Sequence, residues 1–291
     1  MGSYAPFPLT TDAAALGFET TVLSRPRGTI VARHRPSRGS RRGTLFLHGA
    51  AGSWTTWTPL LDAARDTHTE LGEVVLLDLP GWGEAVASAD LDIEGVCAFV
   101  EEVALHLGYE EWDLVGHSMG GLAALHLAAT RPKRVASVRM ISATGAAIIT
   151  AVDHPWRSLR AIPGFVSFRA AMIVLSRVDR PARAVVRFLG RTLLLRAFVT
   201  PLFRHTPRID RSVLTALGTE LRPRLFIAAT AAVRGYRVQT VGCPVIATRG
   251  DRDVFAAPDD YPAATVIADC GHFGNIERPY EVLAALYPRQ L

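Results

Sequence analysis

Ser118 sits in the string Gly116-His117-Ser118-Met119-Gly120, which fits a Gly-x-Ser-x-Gly pattern. The apolar pair Leu114-Val115 precedes it. Ala123, Ala124, Leu125, Leu127, Ala128 and Ala129 follow it, good helix formers that run until Arg131-Pro132. The spacing predicts a buried strand, a tight turn and a helix. Gly116 and Gly120 carry no Cβ, so backbone can pass close to Ser118. The hydroxyl would then stand at a helix N-terminus, whose partial positive charge favours a developing oxyanion.

A serine hydroxyl is a poor nucleophile until a base within hydrogen-bond reach takes its proton, and that base needs an orienting acid. Of the nine histidines, His272 is the best placed. Its string Cys270-Gly271-His272-Phe273 directly follows the last predicted strand, at the end where open α/β sheets assemble their sites. The acid is sought at the end of the preceding strand, in Gly250-Asp251-Arg252-Asp253. Asp253 is the first choice and Asp251 the alternative. The other natural position, after residues 135–141, holds Ser142-Ala143-Thr144-Gly145 and no carboxylate. The oxyanion calls for two preorganised N–H donors. The backbone of Met119 supplies one and that of Ala50, in the loop after Leu47-His48-Gly49, the other. His48 is read as shaping that loop, and His117 as support for the turn.

The elements that must hold these groups in place follow from the pattern of apolar residues. Thr20–Leu23 and Thr29–Arg33 alternate as a hairpin around Pro26-Arg27-Gly28. Residues 44–48, 73–78, 135–141, 244–248 and 264–267 read as further strands. Residues 73–78 are apolar on both faces, as in a parallel sheet covered on each side. Helices are expected over 56–65, 93–107 and 279–286. Strands alternating with helices define an α/β chain with a mostly parallel, doubly wound sheet. Residues 1–19 read as a loosely structured lead-in. Residues 146–235 break the rhythm with helices and no strand of the same quality, and read as an inserted helical cap. The expected division is therefore core 1–145, cap 146–235 and core 236–291.

The chain has 291 residues, 49% of them hydrophobic, enough for one large core with an insertion. Cys97, Cys243 and Cys270 are widely spaced and odd in number, which suggests neither a disulfide framework nor a metal site. Cys270 is read as a small buried hydrophobe. No signal peptide and no membrane-spanning run is visible, so a soluble, cytoplasmic location is expected. The net charge of +5 is unevenly spread. Residues 146–235 carry 15 Arg against four carboxylates, a net of +11, which leaves −6 for the remainder.

Five strings in order carry a family resemblance. They are Leu-His-Gly at 47–49, Asp-Leu-Pro-Gly-Trp-Gly at 78–83, Gly-His-Ser-Met-Gly-Gly at 116–121, Gly-x-x-Asp at 250–253, and Gly-His-Phe with Glu-Arg-Pro at 271–279. From about Thr29 to the C-terminus the chain resembles the α/β-hydrolase fold superfamily. The resemblance implies a sheet with one antiparallel edge, a lid after the sixth strand, and Ser118, Asp253 and His272 as a triad. An aspartate at the turn would have suggested a dehalogenase or epoxide hydrolase, and an asparagine before the serine a C–C-bond hydrolase. His117-Ser118 is more similar to esterase, lipase and lactonase members.

The expected chemistry is hydrolysis of an ester, thioester or lactone through an acyl-enzyme, with no metal or organic cofactor. Acyl transfer, cyclisation or C–C cleavage is one alternative, and a ligand receptor with a vestigial triad another. Trp54, Trp82, Phe255 and Phe273, together with Trp57, Trp156, Phe165 and Phe168, are expected to flank an apolar pocket for a hydrophobic acyl substrate. Arg183, Arg187 and Arg191 share a helix face at i, i+4 and i+8. They face either water or an anionic partner: an acyl carrier protein, a coenzyme A ester or lipid headgroups. No basic-aromatic motif for nucleic acid is present.

Overall fold

A computed structural model describes residues 3–36, 39–87, 91–192 and 194–288. Its eight strands are β1 (Glu19–Arg25), β2 (Gly28–His34), β3 (Arg42–Leu47), β4 (Glu73–Asp78), β5 (Glu111–His117), β6 (Val135–Ile141), β7 (Val245–Gly250) and β8 (Thr265–Ile267). They form one sheet in the order β1-β2-β4-β3-β5-β6-β7-β8. β2 runs antiparallel to both β1 and β4, and every other pair is parallel. The reversed strand thus lies one place in from the edge, not at the edge itself. The cause is local: β1 and β2 close as a hairpin before the chain enters the parallel core, so β1 regains the core direction.

Twelve helices accompany the sheet among the described residues. Those outside the β6–β7 connection are α1 (Thr58–Asp66), α2 (Ile93–His106), α3 (Met119–Thr130), α11 (Gly274–Glu277) and α12 (Pro279–Leu286). Alternate strand residues face opposite sides, as a period of two requires. Phe46, Leu76 and Val115 pack with Trp57, Leu60 and Leu283 on the side covered by α1 and α12. Leu45, Leu47, Val75, Leu77 and Leu114 pack with Val100, Val103 and Leu122 on the side covered by α2 and α3.

The β6–β7 connection contains α4 (Ala146–Asp153), α5 (Pro155–Ser158), α6 (Pro163–Ser176), α7 (Asp179–Gly190), α8 (Leu195–Val199), α9 (Arg211–Glu220) and α10 (Pro223–Ala232), and no strand among the described residues. α7 turns Ala182, Val186 and Gly190 inward against α9. A Cβ on Gly190 would lie 2.8 Å from Gly218 Cα, so the two helices cross where neither has a side chain. Arg183, Arg187 and Arg191 are exposed.

The N-terminal segment is docked, contrary to the expectation of a loose lead-in. Tyr4, Leu9 and Phe18 are buried. The Ala5 N–H donates to the Glu277 carbonyl at 2.8 Å, Leu9 N–H to Ser212 Oγ at 2.8 Å, and Thr10 N–H to Thr58 Oγ1 at 3.0 Å. No periodicity marks this stretch because it is held by single anchors and not by a repeating face.

Candidate active site

Ser118 joins β5 to α3 with φ 52° and ψ −118°, a conformation costly for any residue with a Cβ. The surroundings hold it there. Its N–H donates to the Ile141 carbonyl at 3.0 Å, and its carbonyl accepts from Gly121 N–H and Thr144 N–H, each at 3.0 Å. Close backbone approach explains the flanking glycines: a Cβ on Gly120 would lie 2.0 Å from the Leu47 carbonyl oxygen, and one on Gly116 2.4 Å from that of Gly120. The Ser118 hydroxyl makes no hydrogen bond to protein among the described residues and lines a cavity together with His272.

His272 Nδ1 lies 3.0 and 3.1 Å from the two carboxylate oxygens of Asp253. The Asp253 side chain is fully buried. Burial alone would raise its pKa, but the adjacent His272 imidazole and its hydrogen bond, with further help from the Phe255 N–H, hold it below the usual carboxylate range. Ionised Asp253 accepts Nδ1–H, which leaves His272 Nε2 as the ring's free acceptor. Asp251, the alternative acid, points elsewhere: it accepts the Cys270 N–H at 3.0 Å and lies 3.9 Å from exposed Arg252.

The loop after β3 crosses the turn at close quarters, since a Cβ on Gly49 would meet Ser118 Cβ at 2.9 Å. His48 fixes this loop as a buried, neutral ring. Nδ1–H donates to the Gly49 carbonyl at 2.7 Å, Nε2 accepts the Leu79 N–H at 3.0 Å, and burial pushes its pKa down. The backbone N–H groups of Ala50 and Met119 donate to no protein acceptor among the described residues, and both residues line the cavity with Ser118. His117, buried beneath, donates Nε2–H to the His272 carbonyl at 3.0 Å. Burial, followed by the neighbouring His272, pushes its pKa to about 3, so it is uncharged near neutrality.

Apart from Thr144 and Thr230, the remaining cavity wall is apolar. Ile148, Phe165, Phe168, Leu202 and Phe226 come from the β6–β7 connection, and Phe255 and Phe273 from the loops that carry Asp253 and His272. The space, its open mouth included, is about 580 Å³. Four of the eight aromatics expected at the pocket, Phe165, Phe168, Phe255 and Phe273, therefore line it. Trp82 lines a neighbouring cavity instead. Trp54 lines neither: its ring packs in the core beneath Arg33, whose guanidinium sits 4.7 Å from the ring centroid and bonds Asp78. Trp57 is likewise core, and Trp156 is 87% exposed. Among the described residues no cluster of His, Cys, Asp or Glu has the makings of a metal site. Cys270 is buried, and burial raises its thiol pKa, which keeps it inert.

Sequence reasoning quoted Glu277 only as part of a string and missed what it does. Its buried carboxylate accepts four hydrogen bonds: Tyr4 hydroxyl at 2.7 Å, Arg204 N–H at 2.8 Å, Gly271 N–H at 2.9 Å and Phe273 N–H at 3.1 Å. Two of those donors flank His272. Glu277 thus holds the imidazole's loop to the β6–β7 connection and to the N-terminal segment. Replacing Glu277 by Ala leaves three backbone donors unpaired in a buried place, each worth about 1–3 kcal/mol. Denaturant unfolding of Glu277→Ala is expected to show a loss of about 3 kcal/mol or more. Glu277→Gln, which keeps acceptor oxygen, should lose less.

A mostly parallel sheet with one reversed strand, a serine on a strained strand-to-helix turn and a histidine–aspartate pair on later loops define the α/β-hydrolase class of proteins. The chain belongs to the alpha/beta hydrolase family, whose model matches residues 44–286. It is 32% identical over 270 residues to the dihydrolipoyllysine-residue acetyltransferase component of the acetoin cleaving system of Cupriavidus necator, a match that covers 88% of this chain and 66% of that protein. It is 31% identical over 193 residues to the pimeloyl-[acyl-carrier protein] methyl ester esterase of Neisseria meningitidis, covering 64% of this chain and 66% of that one. The chain therefore spans only part of these curated relatives. In fold it is similar to a thermophilic esterase from Thermogutta terrifontis, with TM-score 0.64 and 21% identity over 92% of this chain and 96% of that one. No helix among the described residues is long and apolar enough to cross a membrane.

Proposed function

We propose that the protein is a serine hydrolase acting on an ester, thioester or lactone with a hydrophobic acyl group. The observation that carries this reading is the buried Asp253–His272 pair sharing one apolar cavity with the unpaired hydroxyl of Ser118. Ser118 Oγ attacks the carbonyl carbon while His272 Nε2 takes its proton. The Ala50 and Met119 N–H groups stabilise the resulting oxyanion, and Asp253 stabilises the imidazolium. His272 then protonates the leaving oxygen or sulfur. Water, deprotonated by the same ring, frees the acid from the acyl-enzyme. The helices between β6 and β7 act as a cap that excludes bulk water. Incubation with a fluorophosphonate should add one phosphonyl group at Ser118, seen by peptide mass spectrometry. Labelling elsewhere, or none, counts against the reading.

A second reading is favoured by the similarity to an acetyltransferase component over 88% of the chain. Here a thiol, not water, resolves the acyl-enzyme, and the same residues serve. Comparing product ratios with and without added thiol acceptors separates the two.

The seven arginines Arg157, Arg160, Arg177, Arg180, Arg183, Arg187 and Arg191 are exposed and form no ion pair among the described residues. Such unpaired charge suits an acyl group delivered on a phosphate-bearing carrier. Turnover of a carrier-linked thioester is then expected to fall severalfold between low and physiological salt, while a free ester is unaffected. Equal salt dependence for the two substrates would remove the carrier.

A further inference from the structure

A second apolar cavity lies directly beyond the Ser118 chamber. Leu79, Pro80, Trp82 and Ala87 line it from the core loops, Leu91, Ile93 and Val96 from the start of α2, and Leu225, Ala228 and Ala232 from α10. Its space, about 570 Å³ with its open mouth, nearly equals that of the first. Three residues line both chambers: Met119, Ala229 and Val233. They form the partition between the chambers.

Two of the three partition residues, Met119 and Ala229, are movable or small. Met119 directly follows the nucleophile, so its backbone is held by the turn. Its side chain is unbranched, with three rotatable bonds, and adapts readily to a neighbour's shape. Ala229 offers only a methyl group. Val233, the third, is β-branched and buried, so any opening between the chambers falls to Met119. Among the described residues the second chamber's only charged lining residue is Asp92, one of whose carboxylate oxygens accepts the Gly95 N–H at 2.8 Å as the cap of α2. The other described lining side chains are aliphatic or aromatic, so water finds few partners there.

We infer that the second chamber receives the distal part of a long, unbranched acyl chain whose carbonyl sits at Ser118. The substrate class is then a long-chain fatty acyl ester or thioester. This rests on the serine hydrolase reading for its chemistry, but not for its binding. A short acyl group fills the first chamber alone. A long one threads past Met119 and buries its remaining methylenes between α10 and α2.

The test exploits residues that line the second chamber alone. Ala228→Phe and Ala232→Trp place bulk there, and Ala231→Trp places it on the exposed side of the same helix as a control. Wild-type protein should hydrolyse p-nitrophenyl dodecanoate as well as the butanoate. Ala232→Trp and Ala228→Phe should lower the ratio of kcat/KM for dodecanoate to that for butanoate by at least about tenfold. Ala231→Trp should leave the ratio as in wild type. Binding of the fluorescent fatty acid cis-parinaric acid, measured on Ser118→Ala, should weaken by a similar factor when Ala232→Trp is added. An unchanged ratio together with unchanged fatty-acid binding overturns the inference even if esters are hydrolysed. Failure of wild type to hydrolyse either ester, with fatty-acid binding still sensitive to Ala232→Trp, sinks the hydrolase reading and leaves the chamber assignment standing. Circular dichroism melts of each variant show that the comparison is made between folded proteins.

Discussion

Ser118→Ala should lower kcat by about five to six orders of magnitude, to the level that the oxyanion donors and substrate binding supply on their own. The size of the loss follows from the role proposed for the hydroxyl. No other nucleophile lines the cavity at the turn, and Thr144 and Thr230, the cavity's other hydroxyls, sit on different elements. The fold should survive, because alanine keeps the Cβ and the Ser118 hydroxyl makes no hydrogen bond to protein among the described residues. Backbone bonds from Ser118 to Ile141, Gly121 and Thr144 hold the turn irrespective of the side chain. The measurement is single-turnover acyl release alongside a thermal melt. A melting temperature within a few degrees of wild type and a residual rate near background is the expected pair of results. Turnover within tenfold of wild type would end the assignment of Ser118 as nucleophile.

Asp253→Asn should cost about four orders of magnitude in kcat, by analogy with the same change in a serine protease. The cause is tautomeric. The carboxylate accepts Nδ1–H from His272 at 3.0 Å and so keeps Nε2 free to accept the Ser118 proton. An amide can turn its NH2 toward Nδ1, which favours the opposite tautomer with Nε2 protonated and unable to act as base. The low pKa of Asp253 gives the pH dependence its sign. A carboxyl held below the usual range contributes stability that is present above its unfolded pKa and disappears as pH falls through the lower folded value. Wild type should therefore lose stability on acidification in the range below about pH 4, and Asp253→Asn should lose less there. Asp251→Asn is the discriminating companion. Its carboxylate caps the Cys270 N–H at the surface, so activity should change only severalfold. A large loss from Asp251→Asn with little from Asp253→Asn would reverse the choice of acid.

The turn at Ser118 was legible because small residues and periodicity pointed the same way. Gly116 and Gly120 announce close backbone approach, and the alanine-rich run after them announces a helix. Two carboxylates two residues apart were not separable by sequence, since both sit on one loop. Only the path of that loop turns Asp253 inward and leaves Asp251 at the surface. Trp54 was misplaced because sequence position after the Gly49–Gly52 loop says nothing about which way a ring swings. Its partner Arg33, on β2, draws it into the core. Glu277 was invisible for a different reason. Its donors include Tyr4, 273 residues away, and such a contact leaves no local pattern. The helices between β6 and β7 were foreseen as a group, with Phe165 and Phe168 at the pocket, but Ile148, Leu202 and Phe226 were not. Their apolar residues serve both packing and substrate, and sequence alone does not divide the two.

The hydroxyl of Tyr4 and the carboxylate of Glu277 have an implication for synthesis on the ribosome. Tyr4 cannot take its seat until Glu277, 273 residues further along, has been made. A growing chain that has already built the turn at Ser118, but not yet the segment of Glu277, holds Tyr4 without its acceptor.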